Sequence, residues 1–163
     1  MFFKTLFDGK RQVFDAMVFI NFHGLNLLEK FFLWSKGEII LVPPVKREAS
    51  SSRMGKIDWN TYIKEKKVTY HLMDSEHEQS LFSYYLSKKI EEKEIHTGEA
   101  SALAVAIANN WGLVSDERVV RKEYDKVTCK KALHSWNLVD LAVEKGFLNE
   151  KEAEWIKKGI YYV

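Results

Sequence analysis

Thr97-Gly98-Glu99-Ala100-Ser101-Ala102-Leu103-Ala104, running on to Gly112-Leu113-Val114-Ser115-Asp116, is the stretch on which the fold turns. Thr97 reads as a helix cap, and Ala100, Leu103, Ala104, Ile107 and Trp111 recur behind it at helical spacing. The small alanines let such a helix lie close against a sheet. Residues 112–115 then read as a short apolar strand, and the chain leaves that strand through an aspartate. A helix feeding directly into a buried strand is a building unit of a parallel sheet.

The alternation continues in both directions. Upstream, residues 16–34 are too long and apolar for a strand, and Gly24 divides them into two helices. Residues 38–42 read as a strand stopped by Pro43-Pro44, with Pro44 opening a helix in which its missing N–H does no harm. A helix over 58–65 capped by Asp58, a strand over 68–72 and a charged helix over 75–92 follow. At the start, Asp8-Gly9 between residues 2–7 and 10–14 predicts a hairpin. Downstream, the pattern predicts a helix over 117–124, a strand over 126–129, and helices over 133–145 and 150–158. The serine-rich piece 49–55 reads as a mobile loop. The expectation is one domain over 1–163, α/β in class, with a mainly parallel sheet in a three-layer αβα arrangement. In such folds ligands gather beyond the carboxyl ends of the strands.

Bulk properties bound the function. The chain has 163 residues, 46% hydrophobic and 29% charged, with a formal charge of +2. These values fit one ordinary globular domain and do not mark a dedicated polyanion binder. The single cysteine, Cys129, excludes an internal disulfide and a cysteine-rich zinc site, and reads as a buried or inert thiol. No apolar run approaches the roughly 20 residues needed to span a bilayer, and the start lacks the parts of a signal peptide. No membrane attachment and a cytoplasmic, reducing location are the expectation.

Asp15 and Asp116 each follow a strand and precede a helix, which places both at the functional edge. Each alone is explained by helix capping. Glu48 lies one turn into the helix after Pro44 and leans back toward the preceding strand end. Glu99 sits in the first turn of the helix at Thr97, where the helix dipole favours a carboxylate. Together, four acids at one edge repel one another unless a cation neutralises them. An all-oxygen set suits Mg²⁺ or Mn²⁺ rather than zinc.

The segments that carry these acids resemble the motifs of the PIN-domain nuclease family. Phe14-Asp15-Ala16-Met17-Val18-Phe19-Ile20-Asn21 is similar to its first motif and Val42-Pro43-Pro44-Val45-Lys46-Arg47-Glu48 to its second. Thr97-Gly98-Glu99-Ala100-Ser101-Ala102-Leu103-Ala104 is the most distinctive match, and Leu113-Val114-Ser115-Asp116-Glu117-Arg118 resembles the last. The likeness covers roughly residues 11–129, and the helix from Leu138 and the ending Gly159-Ile160-Tyr161-Tyr162-Val163 resemble the tail of small prokaryotic members. It implies a metal-dependent ribonuclease, the toxin of a toxin–antitoxin pair with a protein antitoxin, and a homodimer. Catalytic and metal-binding roles carry over to Asp15, Glu48, Glu99 and Asp116, and supporting roles to Ser115 and Asn21. The alternative is a catalytically silent PIN-like binding or regulatory module. The extension before Arg11 and the polar Lys10-Arg11-Gln12 depart from the family.

Arg118 and Lys122, close after Asp116, are candidate contacts to an RNA backbone. Arg121 and the lysines at 126, 130 and 131 belong to the same basic run. His23, His71, His77, His96 and His134 show no metal-ligand spacing, though His96 stands three residues before Glu99. Phosphate-loop, dinucleotide and serine-hydrolase glycine patterns are absent. Trp59, Tyr84 and Tyr85 are aromatic enough to stack bases, but core packing explains such residues more often.

Overall fold

The computed structural model of the chain describes residues 4–50 and 56–160. Four strands, β1 (Gln12–Phe14), β2 (Ile39–Leu41), β3 (Thr69–Tyr70) and β6 (Gly112–Val114), form a sheet in the order β3-β2-β1-β6. Every pairing in it is parallel, with Val13 opposite Ile40 on one side and Leu113 on the other. Strands β4 (Lys89–Ile90) and β5 (Lys93–Glu94) make a separate antiparallel hairpin. The helices are α1 (Ala16–Gly24), α2 (Leu28–Ser35), α3 (Pro43–Ser50), α4 (Trp59–Lys64), α5 (Glu76–Leu86), α6 (Thr97–Asn109), α7 (Arg118–Thr128), α8 (Ser135–Glu144) and α9 (Glu150–Lys158). They flank the sheet in a three-layer αβα arrangement.

The core explains why the strands can be so short. All three residues of β2 are buried, as parallel strands covered on both faces require. Helix α6 carries Ala100, Ala102, Leu103, Ala104, Val105 and Ala106, all fully buried. Its small side chains let it pack at once on β1, β6, α3, α5 and α7. Aromatic rings fill the other wall. Phe19 packs edge-on against Trp59 at 5.0 Å and Phe22 against Phe31 at 4.3 Å. Trp59 and Tyr85 are therefore core residues, while Tyr84 is exposed beside Lys88.

Several expectations need correction. The turn at Asp8-Gly9 exists, with φ of 53° and 83°, but it joins no hairpin. Residues 2 and 3 lie outside the described residues, and β1 pairs in parallel with β2 and β6 instead. Leu6 N–H donates to the Trp34 carbonyl at 2.9 Å. The buried Glu38 carboxylate accepts from Thr5 Oγ1 at 2.7 Å, Phe7 N at 3.1 Å and Gly9 N. An acid placed beside the sheet thus captures the turn that sequence pattern assigns to a strand pair. Glu38→Ala should cost about 1–3 kcal/mol, chiefly by leaving the buried Phe7 N–H unpaired. A urea midpoint equal to the parent's would show that water replaces the carboxylate.

The helix expected over 75–92 stops at Leu86, and β4 and β5 fold back through Glu91 and Glu92. Both glutamates have left-handed backbones, φ 50° and 63°, where turn formers such as Asn-Gly are usual. Residues 126–129 are not a strand, because α7 runs through Thr128 and ends on left-handed Cys129, an exposed thiol. The sheet edge there is met by Leu133, bridged to Val114. The cap of α6 is His96 rather than Thr97. Pro43, one residue before the expected Pro44, opens α3, which continues to Ser50; residues 51–55 of the expected loop and 161–163 of the apolar ending lie outside the described residues. Among the described residues, no helix is long and apolar enough to cross a membrane.

Candidate active site

Beyond the carboxyl ends of β1, β2 and β6 lies a cavity of about 530 Å³. Asp15, Glu48, Glu99 and Asp116 all line it, with Ala16, Met17, Ile20, His96 and Glu117. Four segments far apart in the sequence therefore deliver their acids to one place.

Asp15 directly follows β1, an inner strand of the sheet, and caps α1. Its Oδ1 accepts from Ala16 N at 2.8 Å and its Oδ2 from Ser115 Oγ at 2.9 Å. Asp116, one residue beyond Ser115, is held from three sides. Ser135 N–H reaches Oδ1 at 2.7 Å, while Ser135 Oγ and Asn21 Nδ2 reach Oδ2 at 2.5 and 2.7 Å. Ser115 and Asn21 thus each donate to one of these carboxylates. Ser135 carries no signal in the sequence beyond its place in a helix.

Glu48 Oε1 accepts from Gly98 N at 2.8 Å. A Cβ added to Gly98 would run into Glu48 Oε2, so this glycine leaves room for the carboxylate. Glu99 is the most loosely held of the four, with one long contact of 3.4 Å to His96 N. It is consequently the freest to turn within the cavity. Among the described residues, no three acids, histidines or cysteines are placed so that together they could hold a metal ion. The carboxylates instead engage protein donors.

Their electrostatics nonetheless mark them as a group. Burial pushes Asp15 up to about 6, against the lowering bonds from Ala16 and Ser115, and the charges of Glu48 and Asp116 add to the rise. Glu99 is pushed up to about 7 by burial first and by the Asp15 charge second. In the unfolded chain both acids ionise near pH 4, whereas in the fold they keep their protons to about 6 and 7. The native state then binds more protons across that window, so stability falls as pH rises through it. For the apo protein in EDTA we expect a loss of about 1–3 kcal/mol between pH 4.5 and 7.5. If the acids take up a divalent cation as the sequence leads us to expect, Mn²⁺ should reverse most of it at pH 7.5 by binding the ionised forms. A melting temperature that is flat with pH would contradict the rise that burial, with the neighbouring charges second, imposes on Asp15 and Glu99.

The cations are arranged differently from expectation. Arg118 is exposed, does not line the cavity, and forms no ion pair among the described residues. Lys122 faces Glu91 of the hairpin turn at 3.7 Å and lines a different recess. Arg121 comes nearer the acids, donating to the Ser115 carbonyl at 2.8 Å. Lys93 of β5 reaches Glu117 on the cavity wall at 2.7 Å. Helical phase explains the exchange, since Arg121 stands on the strand-facing side of α7 and Lys122 on its outer side.

The chain matches no family model, no curated protein and no solved structure.

Proposed function

We propose that the chain is a PIN-like, metal-dependent endoribonuclease that hydrolyses RNA phosphodiesters. The observation that carries this reading is the meeting of Asp15, Glu48, Glu99 and Asp116 around one cavity at the carboxyl edge of a parallel sheet. An all-oxygen, carboxylate-rich donor set fits Mg²⁺ or Mn²⁺ in chemistry. Such an ion, when bound, would activate water and stabilise the leaving oxygen of a phosphodiester. The chain's own contribution is orientation. Ser115 fixes Asp15, Ser135 and Asn21 fix Asp116, and the Gly98 N–H fixes Glu48. Glu99 is left able to turn toward whatever enters. Arg118 is retained as a phosphate contact on the exposed face of α7, with Lys93 and Arg121 better placed than Lys122 to offset charge near the acids. The PIN resemblance extends the reading to a cytoplasmic toxin, a protein antitoxin and a homodimer.

One observation favours the second reading, a catalytically silent module: protein donors already occupy the carboxylates. The test is cleavage of single-stranded RNA by the purified protein in Mg²⁺ or Mn²⁺, with EDTA as the control. Cleavage that EDTA stops supports the enzyme. Intact RNA together with no calorimetric metal binding supports the silent module.

A further inference from the structure

At the opposite end of the sheet, the amino ends of β1 and β6 open on a second cavity of about 760 Å³. Lys10, Arg11, Lys130 and Lys131 line it, and no aspartate or glutamate among the described residues does. A chain whose formal charge is only +2 therefore concentrates four cations in one recess. Lys10, Arg11 and Lys131 form no ion pair among the described residues. The acid of the nearby turn, Asp8, is taken up by Lys145 at 2.5 Å. Asp8 also attracts Lys10 more weakly, but one shared carboxylate leaves most of the gathered charge uncompensated, and a multiply charged anion relieves it.

The recess is also shaped. Arg11 lies over the Trp111 ring at 5.1 Å, and His71 meets the same ring edge-on at 5.1 Å, so the indole is fixed. Lys130 is held by Asn110, through the backbone oxygen at 3.2 Å and Oδ1 at 2.5 Å, and these bonds position its charge without neutralising it. The Gln12 carboxamide lies against Gly112, where an added Cβ would collide with Gln12 Oε1. A guanidinium held on an indole presents a planar fork to phosphate oxygens, and the lysines add point charges around it. The volume lies within the range of small-ligand pockets.

We propose that this recess is a metal-independent nucleotide site, in which Lys10, Arg11, Lys130 and Lys131 receive the phosphate of a nucleotide. The nucleotide is either free or part of a single-stranded RNA, and the chemistry of recognition is the same. The site shares no residue with the carboxylate cavity, so it stands or falls independently of the nuclease reading.

The test is run in EDTA, where metal-dependent cleavage plays no part. A fluorescein-labelled adenosine pentanucleotide is titrated by anisotropy at several salt concentrations, with AMP and inorganic phosphate as competitors. Lys10→Gln/Lys131→Gln removes two exposed charges, and an unchanged melting temperature verifies its fold. The double variant should bind the probes at least about 10-fold more weakly, with a log–log salt slope lower by about 0.7 for each strand phosphate it no longer neutralises. Competition by AMP at concentrations near its own dissociation constant assigns the site to a free nucleotide. Binding of the pentanucleotide without AMP competition assigns it to a strand. Equal affinity and slope in parent and variant, or no binding of any probe, overturns the proposal.

Discussion

On the proposed nuclease reading, Asp15→Asn should lower metal-dependent RNA cleavage by at least about 100-fold while making the apo protein more stable. The two effects have one origin. Asp15 is buried just beyond the end of β1, and its carboxyl is pushed up to about 6 by burial. An asparagine keeps the acceptor for Ala16 N–H and offers an N–H to Ser115 Oγ, whose hydroxyl can turn to accept it. The buried charge is gone and the shape is kept. At pH 7.5 the gain should be about 1–3 kcal/mol, read from urea unfolding in EDTA. The charge needed to hold a divalent ion is gone as well. Asp116→Asn is the companion, because Asn21 can flip its amide to meet the new N–H. Undiminished cleavage by both purified variants would trace the activity to a contaminant. Cleavage lost together with apo stability would mean that Asp15 is a structural anchor.

Gly98→Ala should leave the fold standing and yet impair the site by about 10- to 100-fold in metal affinity. The atoms that an added Cβ would meet are Glu48 Oε2, Cδ at 2.6 Å and Oε1 at 2.8 Å, the far end of a flexible side chain. Glu48 can swing away at small cost, unlike a packed core residue. In doing so it abandons the Gly98 N–H and its place in the cavity. Calorimetric titration with Mn²⁺ separates this from simple destabilisation. Parent-like Mn²⁺ affinity in a stably folded Gly98→Ala protein would remove Glu48 from the ligand set. Glu48→Gln should reproduce the loss without adding bulk, which ties the effect to the carboxylate.

The four acids are legible because each follows from local pattern. Asp15 and Asp116 sit where an apolar strand gives way to a helix, Glu48 one turn into a helix, leaning back toward the strand end, and Glu99 in a first turn. The rule about strand carboxyl ends does the rest. Their supporting partners are only half legible. Ser115 and Asn21 stand within the resembling segments, but the bonds from Ser135 to Asp116 and from Gly98 to Glu48 join separated segments with no periodic trace. The hairpin β4–β5 escapes pattern reading because Glu91-Glu92 carries no turn chemistry. The N-terminal turn is visible at Asp8-Gly9, but nothing local shows that Glu38 claims its amides. At 126–129, β-forming Val127 and Thr128 suggest a strand, whereas helical bonding continues to Cys129 N, which donates to Asp125 O at 2.9 Å.

Inner strand β1 is flanked by β2 on one side and by β6 on the other, and the Ser115–Asp15 bond spans 100 residues of sequence. Closing so long a loop is slow compared with forming the local helices. During synthesis Asp15, Glu48 and Glu99 all emerge before the neighbour that completes their cavity. Asp116 must then wait for Ser135 before its carboxylate is fixed. A ribosome-bound chain consequently carries three of its acids without a pocket to put them in. The carboxylate cavity is thus completed only after the chain through Ser135, about five sixths of the 163 residues, has been made.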